Sequence, residues 1–223
     1  MKRSRVALLV AAVILAAVGS LIALLPQAAG AEGQTSTPLS TVNSDTQETS
    51  FGDLATDAIR DASGANIAFI GAITFKAGSL GVGLLTVDRI SSLLGNPEEV
   101  WAVSRLKGSQ IRGALEHSVH SAPLPNNAFL QVSGLTFEYS ASAARGQRVK
   151  SIRVGPADLS DAADYTIAMP LSLAKGGSGY FRFFTKEAIE KEGTNGLAAT
   201  IVAYAERRGS VSYSGFGRIT AQP

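Results

Sequence analysis

Two apolar segments of strand length constrain the fold of this 223-residue chain more than any other feature. The residues Asn66-Ile-Ala-Phe-Ile-Gly, and those from Tyr165 to Met169 before a proline, each predict a strand buried in a sheet. The segment FGDLATDAIRDAS, from Phe51 onward, instead repeats apolar residues with helical spacing and follows an N-cap at Thr49 or Ser50. Buried strands and an amphipathic helix must therefore share one core.

The order of the remaining segments predicts the fold class. Further strands are predicted over 100–105, 129–132, 135–139, 149–154 and 218–220, and further helices over 86–94, 108–120, 185–191 and 197–207. These helices and strands mix without strict β–α alternation, which is typical of the α+β class. We therefore expect a mixed β-sheet with flanking helices.

The first 31 residues have the composition of a targeting segment. Basic residues in MKRSR precede an uncharged apolar run from Val6 to Leu25, and Ala29-Gly30-Ala31 has the form of a cleavage site. The run is also long enough to cross a bilayer, so a signal peptide and an uncleaved N-terminal membrane anchor both remain open. Either one predicts export to the extracellular space or cell envelope, with membrane attachment if the segment is not cleaved.

Composition and charge restrict the rest of the chain. Residues 32–47 are polar and rich in threonine and serine, which predicts a flexible linker, and residues 48–220 form the predicted domain. Of the 20 lysines and arginines, three lie in the targeting segment, which leaves 17 against 18 acidic residues. No basic tract with interleaved aromatics remains, so we expect no nucleic-acid partner. The chain has no cysteine and therefore no disulfide.

The two histidines do not form a known metal motif. His117 and His120 are three residues apart and Glu116 precedes both, whereas the zinc-protease helix H-E-x-x-H places its histidines four apart around the glutamate. No cysteine and no G-x-S-x-G nucleophile elbow is present either. The residues thus predict no metal site, no cofactor and no catalytic residue, and they place the histidines on a helix surface.

The segment LAKGGSGYF, residues 173–181, contains three glycines in four positions. A P-loop requires its lysine after the glycines, but Lys175 precedes them, and G-G-x-G differs from the dinucleotide-binding pattern G-x-G-x-x-G. The local pattern favours a tight turn after Pro170. Because successive glycines also let the backbone approach a ligand closely, a binding role remains open.

Five segments together resemble one family, the C-terminal domain of 5'-nucleotidases and UDP-sugar hydrolases. They occur in the family's order and span nearly all of residues 48–220; the third is the most specific. The segments are Glu48-Thr-Ser-Phe-Gly-Asp-Leu-Ala-Thr-Asp-Ala, Leu106-Lys-Gly-Ser-Gln-Ile with Leu115-Glu-His-Ser-Val-His, Phe129-Leu-Gln-Val-Ser-Gly-Leu, Ala174-Lys-Gly-Gly-Ser-Gly-Tyr and Gly217-Arg-Ile. The resemblance implies a substrate-recognition domain that follows a two-metal phosphoesterase domain and holds the nucleoside between two aromatic rings.

The sequence departs from the family at the positions that the resemblance assigns to the ligand. The family's Asn and Arg of its glycine loop fall on Phe69 and Thr74, and its two stacking rings fall near Asn96 and on Ser172. Its ribose-binding aspartate falls on Ser178. The candidate pocket by position is therefore Thr74, Lys76, Asn96, Ser172, Gly176, Gly177, Ser178 and Tyr180. Trp101 and Tyr180 are the aromatic residues there, and core packing is the favoured role for both.

The resemblance and the departures predict an exported recognition domain that is not catalytic alone. Its expected partner is a separate metallophosphatase chain or a small nucleotide-like or sugar-like ligand. Two alternatives remain open: a subunit of a nucleotide-hydrolysing complex whose metal centre lies on another chain, and a structural protein of the cell envelope. The sequence leaves the ligand and the oligomeric state undetermined.

Overall fold

The computed structural model describes residues 32–222, and the predicted targeting segment over 1–31 lies outside them. The α-helices are α1 (Ser50–Ser63), α2 (Val87–Ser91), α3 (Gly108–Ser118), α4 (Leu171–Ala174) and α5 (Leu197–Arg208). The strands are β1 (Gln34–Thr35), β2 (Leu39–Ser40), β3 (Ile67–Gly71), β4 (Ser79–Leu80), β5 (Gly83–Leu84), β6 (Val100–Lys107), β7 (Leu130–Ser133), β8 (Leu135–Ser140), β9 (Val149–Val154), β10 (Ala157–Asp158), β11 (Asp164–Pro170), β12 (Ile189–Gly196), β13 (Ser210–Val211) and β14 (Ile219–Gln222). Short 3-10 turns span Ala72–Thr74, Gly177–Arg182 and Lys186–Ala188.

A central five-stranded sheet has the order β12-β6-β11-β3-β7. The strands β3 and β11 run parallel, with Ile67 opposite Ile167, and the other neighbours are antiparallel. A second sheet of order β10-β9-β8-β14 contains one parallel pair, between β14 and β8. The mixed sheet and the α+β class predicted from the sequence are confirmed.

Alternating side chains of the central sheet divide the core into two clusters. In β3, Ile67 and Phe69 join the cluster that also contains Ile111 of α3 and Phe137 of β8. Their neighbours Ala68 and Ile70 join the cluster formed with α1 and α5. Since successive strand residues point to opposite faces, the central sheet is the middle layer, and both its faces are covered.

The N-terminus of α1 is joined to β7 by the buried Gln131. The hydroxyl of Thr49 accepts a hydrogen bond from the backbone N–H of Gly52 (3.2 Å), which confirms the predicted cap. Gln131 Oε1 accepts a hydrogen bond from the N–H of Thr49 (2.9 Å), and a Cβ on Gly52 would lie only 2.4 Å from that oxygen. The predicted helices over 108–120 and 197–207 are also present, as α3 and α5.

Residues 34–47 differ from the flexible linker that the sequence predicts for 32–47. The strand β1 pairs with β13 and with β5, and Leu39 in β2 is fully buried. The hydroxyl of Thr41 donates to the carbonyl of Lys76 (2.6 Å). One buried leucine and paired hydroxyl groups therefore hold a polar segment on the domain.

The predicted helix over 185–191 is also wrong. A short 3-10 turn over Lys186–Ala188 leads directly into β12, which pairs with β6 at the edge of the central sheet. The charged residues of this segment are exposed, as is typical of a sheet edge.

In the part of the chain that the structure describes, no helix combines the length and apolarity needed to cross a membrane.

We expect Leu39→Ala to lower the free energy of unfolding by about 2–4 kcal/mol, because the substitution leaves a cavity beside α1. The control Val42→Ala changes a side chain that is 46% exposed and should cost less than about 0.5 kcal/mol. Urea unfolding followed by circular dichroism measures both. Equal, small effects would show that residues 34–47 do not contribute to the core.

Candidate functional site

The predicted site residues follow strand ends that meet at one edge of the central sheet. Because β3 and β11 are parallel, Gly71 and Pro170 end their strands at the same edge. The antiparallel strand β6 begins there, with Trp101 opposite Pro170, and β7 begins beside Gly71. We call this edge the carboxyl edge.

The structure brings three of the candidate residues together at the carboxyl edge. The 3-10 turn after β3 carries Thr74, whose carbonyl accepts a hydrogen bond from Gly95 N (2.8 Å). Two residues on, the N–H of Lys76 donates to the carbonyl of Leu93 (2.9 Å). These bonds place Thr74 and Lys76 next to the segment that ends in Asn96.

The glycine segment lies on the same edge, directly after β11 and α4. Gly176, Ser178 and Gly179 have φ values of 89°, 54° and 84°, in the left-handed region. A Cβ on Gly177 would lie 2.8 Å from the carbonyl oxygen of Ser172. The tight turn predicted from the local pattern is therefore present, and its glycines are required by the turn itself.

His117 of α3 binds this turn, which the sequence did not indicate. Its Nε2 lies 3.0 Å from the carbonyl oxygen of Ser178, and its ring packs edge-on against Tyr180 at 4.6 Å. The ring of His120 stacks on His117 at 5.0 Å. Among residues 32–222 there is no group of three or more His, Cys, Asp or Glu side chains arranged to hold a metal ion. The ring contacts give the histidines a packing role.

Tyr180 is a core residue, and its position rules out contact between its ring and a ligand at the surface. The side chain is fully buried, stacks on Phe184 at 4.9 Å, and donates its hydroxyl to the carbonyl of Ala128 (2.5 Å). Burial raises the pKa of Tyr180 well above its usual value. Trp101 is 6% exposed and also belongs to the core, as the favoured prediction stated.

The other candidates at the turn are accessible. Ser172 and Ser178 are exposed, and the N–H of Ser172 donates to Glu99 Oε1 (2.8 Å). Exposed apolar side chains accompany them on neighbouring segments: Ile73 is 57% exposed, Leu124 is 68% exposed and Phe181 is 65% exposed. The N–H of Ile73 donates to the carbonyl of Asn127, which joins the first two of these segments. The carboxyl edge therefore presents small polar groups and apolar side chains.

A partly buried charged cluster lies away from this edge and joins α1 to the C-terminal strand. Arg218 donates through two nitrogens to the two carboxylate oxygens of Asp57, both at 2.9 Å. Glu48 Oε2 accepts the backbone N–H groups of Gly217, Arg218 and Ile219 at 2.9–3.0 Å. Two of the segments that carry the resemblance, 48–58 and 217–219, thus bind each other directly.

The pKa values of two carboxyl groups in this cluster are shifted in opposite directions. Burial, together with the nearby Glu48 and Asp57, raises the pKa of Asp53 to about 8, against the opposing charge of Arg218. Burial acts to raise the pKa of Asp57 as well, but hydrogen bonds and charge from Arg218, with hydrogen bonds from Ser133 and Tyr213, hold that pKa below its usual value. At neutral pH Asp57 is the ionised partner of Arg218 and Asp53 is mostly protonated.

Comparison with known proteins agrees with this architecture. Residues 28–186 match the family model "5'-nucleotidase, C-terminal domain". Snake venom 5'-nucleotidase of Naja atra is 30% identical over 146 residues, which are 61% of this chain and 27% of the venom protein. Protein 5NUC of Lutzomyia longipalpis is 33% identical over 128 residues, 53% of this chain and 22% of that protein. The chain thus spans about a quarter of the curated relatives it matches.

Solved structures show the same fold. The 5'-nucleotidase precursor of Thermus thermophilus superimposes with a TM-score of 0.74 at 26% identity, over 86% of this chain and 39% of that one. NAD nucleotidase of Haemophilus influenzae superimposes with a TM-score of 0.71 at 14% identity, over 86% of this chain and 38% of that one. At such low identity, the second similarity shows the fold alone.

We expect Asp53→Asn to change the pH dependence of stability. The folded chain holds a proton on Asp53 up to about pH 8, whereas the unfolded chain releases it near pH 4. This carboxyl group therefore makes the free energy of unfolding fall as pH rises between these values, by at most about 1.4 kcal/mol per pH unit. The variant lacks this contribution, so the stability of the wild type relative to the variant should fall from pH 5 to pH 8.

Urea unfolding at pH 5, 6.5 and 8 measures this difference. The matched control is Asp158→Asn, which changes an exposed carboxylate on β10 and should leave the pH profile of the wild type unaltered. Parallel profiles for the wild type and Asp53→Asn would contradict the raised pKa of Asp53.

Proposed function

Because the chain belongs to the family of 5'-nucleotidase C-terminal domains, we propose that it is a recognition domain that does not hydrolyse phosphate esters by itself. Its binding face is the carboxyl edge of the central sheet. The observation that supports this proposal is that the chain keeps the family fold, while the side chains at the positions that the resemblance assigns to the ligand differ from those of the family.

The residue types of the chain support a non-catalytic role. Two-metal hydrolysis of a phosphate ester requires a cluster of Asp, His and similar ligands. The first 31 residues contain no Asp, Glu, His or Cys, and residues 32–222 contain no such cluster of three. A metal centre for a nucleotidase reaction would therefore come from outside these residues, as a metallophosphatase domain or chain would supply it.

The replaced side chains argue against tight nucleoside binding at the carboxyl edge. Stacking of a base on an aromatic ring contributes about 1–3 kcal/mol, and a hydrogen bond to a charged group about 1.5–3 kcal/mol. Ser172 and Ser178 provide neither a ring nor a carboxylate, and Tyr180 is buried. Lys76 and Lys175 are exposed cations in this region. A small ligand here would consequently be held by hydroxyl, amide and ammonium groups.

The apolar side chains at the carboxyl edge favour a second candidate, a subunit of a nucleotide-hydrolysing complex. Ile73, Leu124 and Phe181 are each more than half exposed, on segments that meet at this edge. Apolar side chains grouped on a surface often mark a protein contact. A metallophosphatase would bind here and present its metal centre to the same face.

The proposal includes export, because residues 1–31 combine a basic start with an apolar run. The similarity to a snake venom 5'-nucleotidase, whose name places it in a secreted fluid, supports it. A cleaved signal peptide and an N-terminal anchor are both compatible with this proposal. A purely structural role in the cell envelope would require that neither a ligand nor a phosphatase bind the carboxyl edge.

We expect the purified chain, incubated with Mn²⁺ or Zn²⁺, to release no phosphate from AMP, ADP or UDP-glucose above the level of metal and buffer alone. The physical reason is the missing set of metal ligands among the described residues. A colorimetric phosphate assay measures this, with a known 5'-nucleotidase as the positive control. Turnover at an ordinary enzyme rate, about 1 s⁻¹ or faster, would refute the non-catalytic assignment.

We expect the double substitution Ser172→Phe with Ser178→Asp to strengthen adenosine binding by at least about tenfold, because it supplies one ring and one carboxylate. Isothermal titration calorimetry compares it with the wild type and with Ser109→Phe, which adds a ring to an exposed site at the far end of β6. If all three proteins bind adenosine equally weakly, the carboxyl edge is not a nucleoside-type binding face.

A further inference from the structure

A cleft of about 330 Å³ lies near the edge of the central sheet that is opposite the carboxyl edge. Its walls come from α1, the β7–β8 turn, the end of β9 and the C-terminal segment. Gly134 in the β7–β8 turn packs against the carbonyl of Asn66, just before β3 begins, since a Cβ there would lie 2.1 Å from that oxygen. The start of β3 marks the edge away from Gly71, so the cleft is separate from the candidate site.

The charged side chains that line the cleft are three arginines and one aspartate. They are Arg60, Arg153 and Arg218, with Asp57. Behind Asp57, Asp53 is mostly protonated at neutral pH because burial raises its pKa to about 8. The lining residues thus carry an excess of positive charge.

The single carboxylate is already occupied by protein donors. The carboxylate of Asp57 accepts hydrogen bonds from both terminal nitrogens of Arg218, from the hydroxyl of Ser133 (2.5 Å) and from the hydroxyl of Tyr213 (2.9 Å). Arg218 also donates to the carbonyl of Val132 (3.0 Å). Asp57 and Arg218 therefore neutralise each other, and the excess charge belongs to Arg60 and Arg153.

Arg60 and Arg153 retain donors that no described residue accepts. Arg60 donates a hydrogen bond from Nε to the hydroxyl oxygen of Ser133 (2.7 Å). Its two terminal nitrogens have no acceptor among residues 32–222. Arg153 donates a hydrogen bond from one terminal nitrogen to the carbonyl of Pro156 (2.6 Å). Its other nitrogens have no acceptor among residues 32–222. Asp158 is opposite Arg153 in the strand register, but the described residues include no ion pair between them.

We propose that this cleft binds a phosphate group between Arg60 and Arg153. Guanidinium groups bind the oxygens of phosphate through paired N–H donors, and Ser133 fixes the direction of Arg60. A volume of about 330 Å³ lies at the lower end of small-molecule sites, so the cleft accommodates free phosphate or the phosphate group of a small monoester. The cleft is thus a second binding site, independent of the carboxyl edge.

The test is isothermal titration calorimetry of the full chain with inorganic phosphate at constant ionic strength. We expect saturable binding to the wild type, at least about tenfold weaker binding to Arg153→Gln, and unchanged binding to Arg145→Gln. Arg145 is the matched control because it is an exposed arginine in the β8–β9 loop. Arg153 is also exposed, so Arg153→Gln should fold, and its urea midpoint checks this. Arg60→Gln should weaken phosphate binding in the same way.

Two further probes identify the source of the phosphate group. Glucose 6-phosphate that binds at least as tightly as phosphate indicates a monoester ligand, whereas binding of phosphate alone indicates the free ion; both support the site. Acetate at the same ionic strength should bind at least about tenfold more weakly than phosphate. No saturable binding of either phosphate probe, or equal affinities for the wild type, Arg153→Gln and Arg60→Gln, would overturn the proposal.

Discussion

The contact between the C-terminal segment and the first half of α1 organises the domain. Arg218 forms two hydrogen bonds with Asp57, and Glu48 accepts three consecutive backbone N–H groups from residues 217–219. These groups are partly or fully buried, and a buried ion pair contributes little net stability while the loss of one partner is costly. Its main effect is therefore positional: β14 is held in register beside β8, and the second sheet is closed against α1.

The segments shared with the family are largely structural in this chain, which explains how the fold persists at 26% identity to a solved 5'-nucleotidase. Gln131, in the most specific of these segments, caps α1 through Thr49 and also donates to the carbonyls of Ser44 and Gln47. Gly52 has no Cβ that would collide with Gln131. None of these contacts involves a position that the resemblance assigns to the ligand, so they maintain the scaffold independently of those positions.

The sequence predicted the elements whose apolar period or capping residue lies within or next to the element itself. The capped helix α1, the buried strand β3 and the helix α5 each have a clear apolar period or cap, and all are present. Residues 34–47 and β12 were missed because both are polar segments whose pairing with distant strands has no local signature. The family resemblance named Thr74 and Asn96 as candidate residues, and the backbone bond between Thr74 and Gly95 is a finding of the structure. The burial of Tyr180 agrees with the core-packing role that the sequence analysis favoured. The contact from His117 depends on how α3 packs, and a glycine-aromatic pattern cannot show that.

The glycine-rich turn illustrates why a retained motif need not indicate a retained function. Gly177 has no room for a Cβ beside the carbonyl of Ser172, and a Cβ on Gly179 would lie 3.0 Å from His117 Nε2. Gly176 is similarly restricted by the backbone of Phe181. Because backbone contacts restrict Gly176 and Gly177, and a φ of 84° favours glycine at position 179, the fold of the turn accounts for all three glycines without a ligand. Evidence for a ligand at the carboxyl edge must instead come from exposed side chains such as Ser172, where the resemblance predicts an aromatic ring.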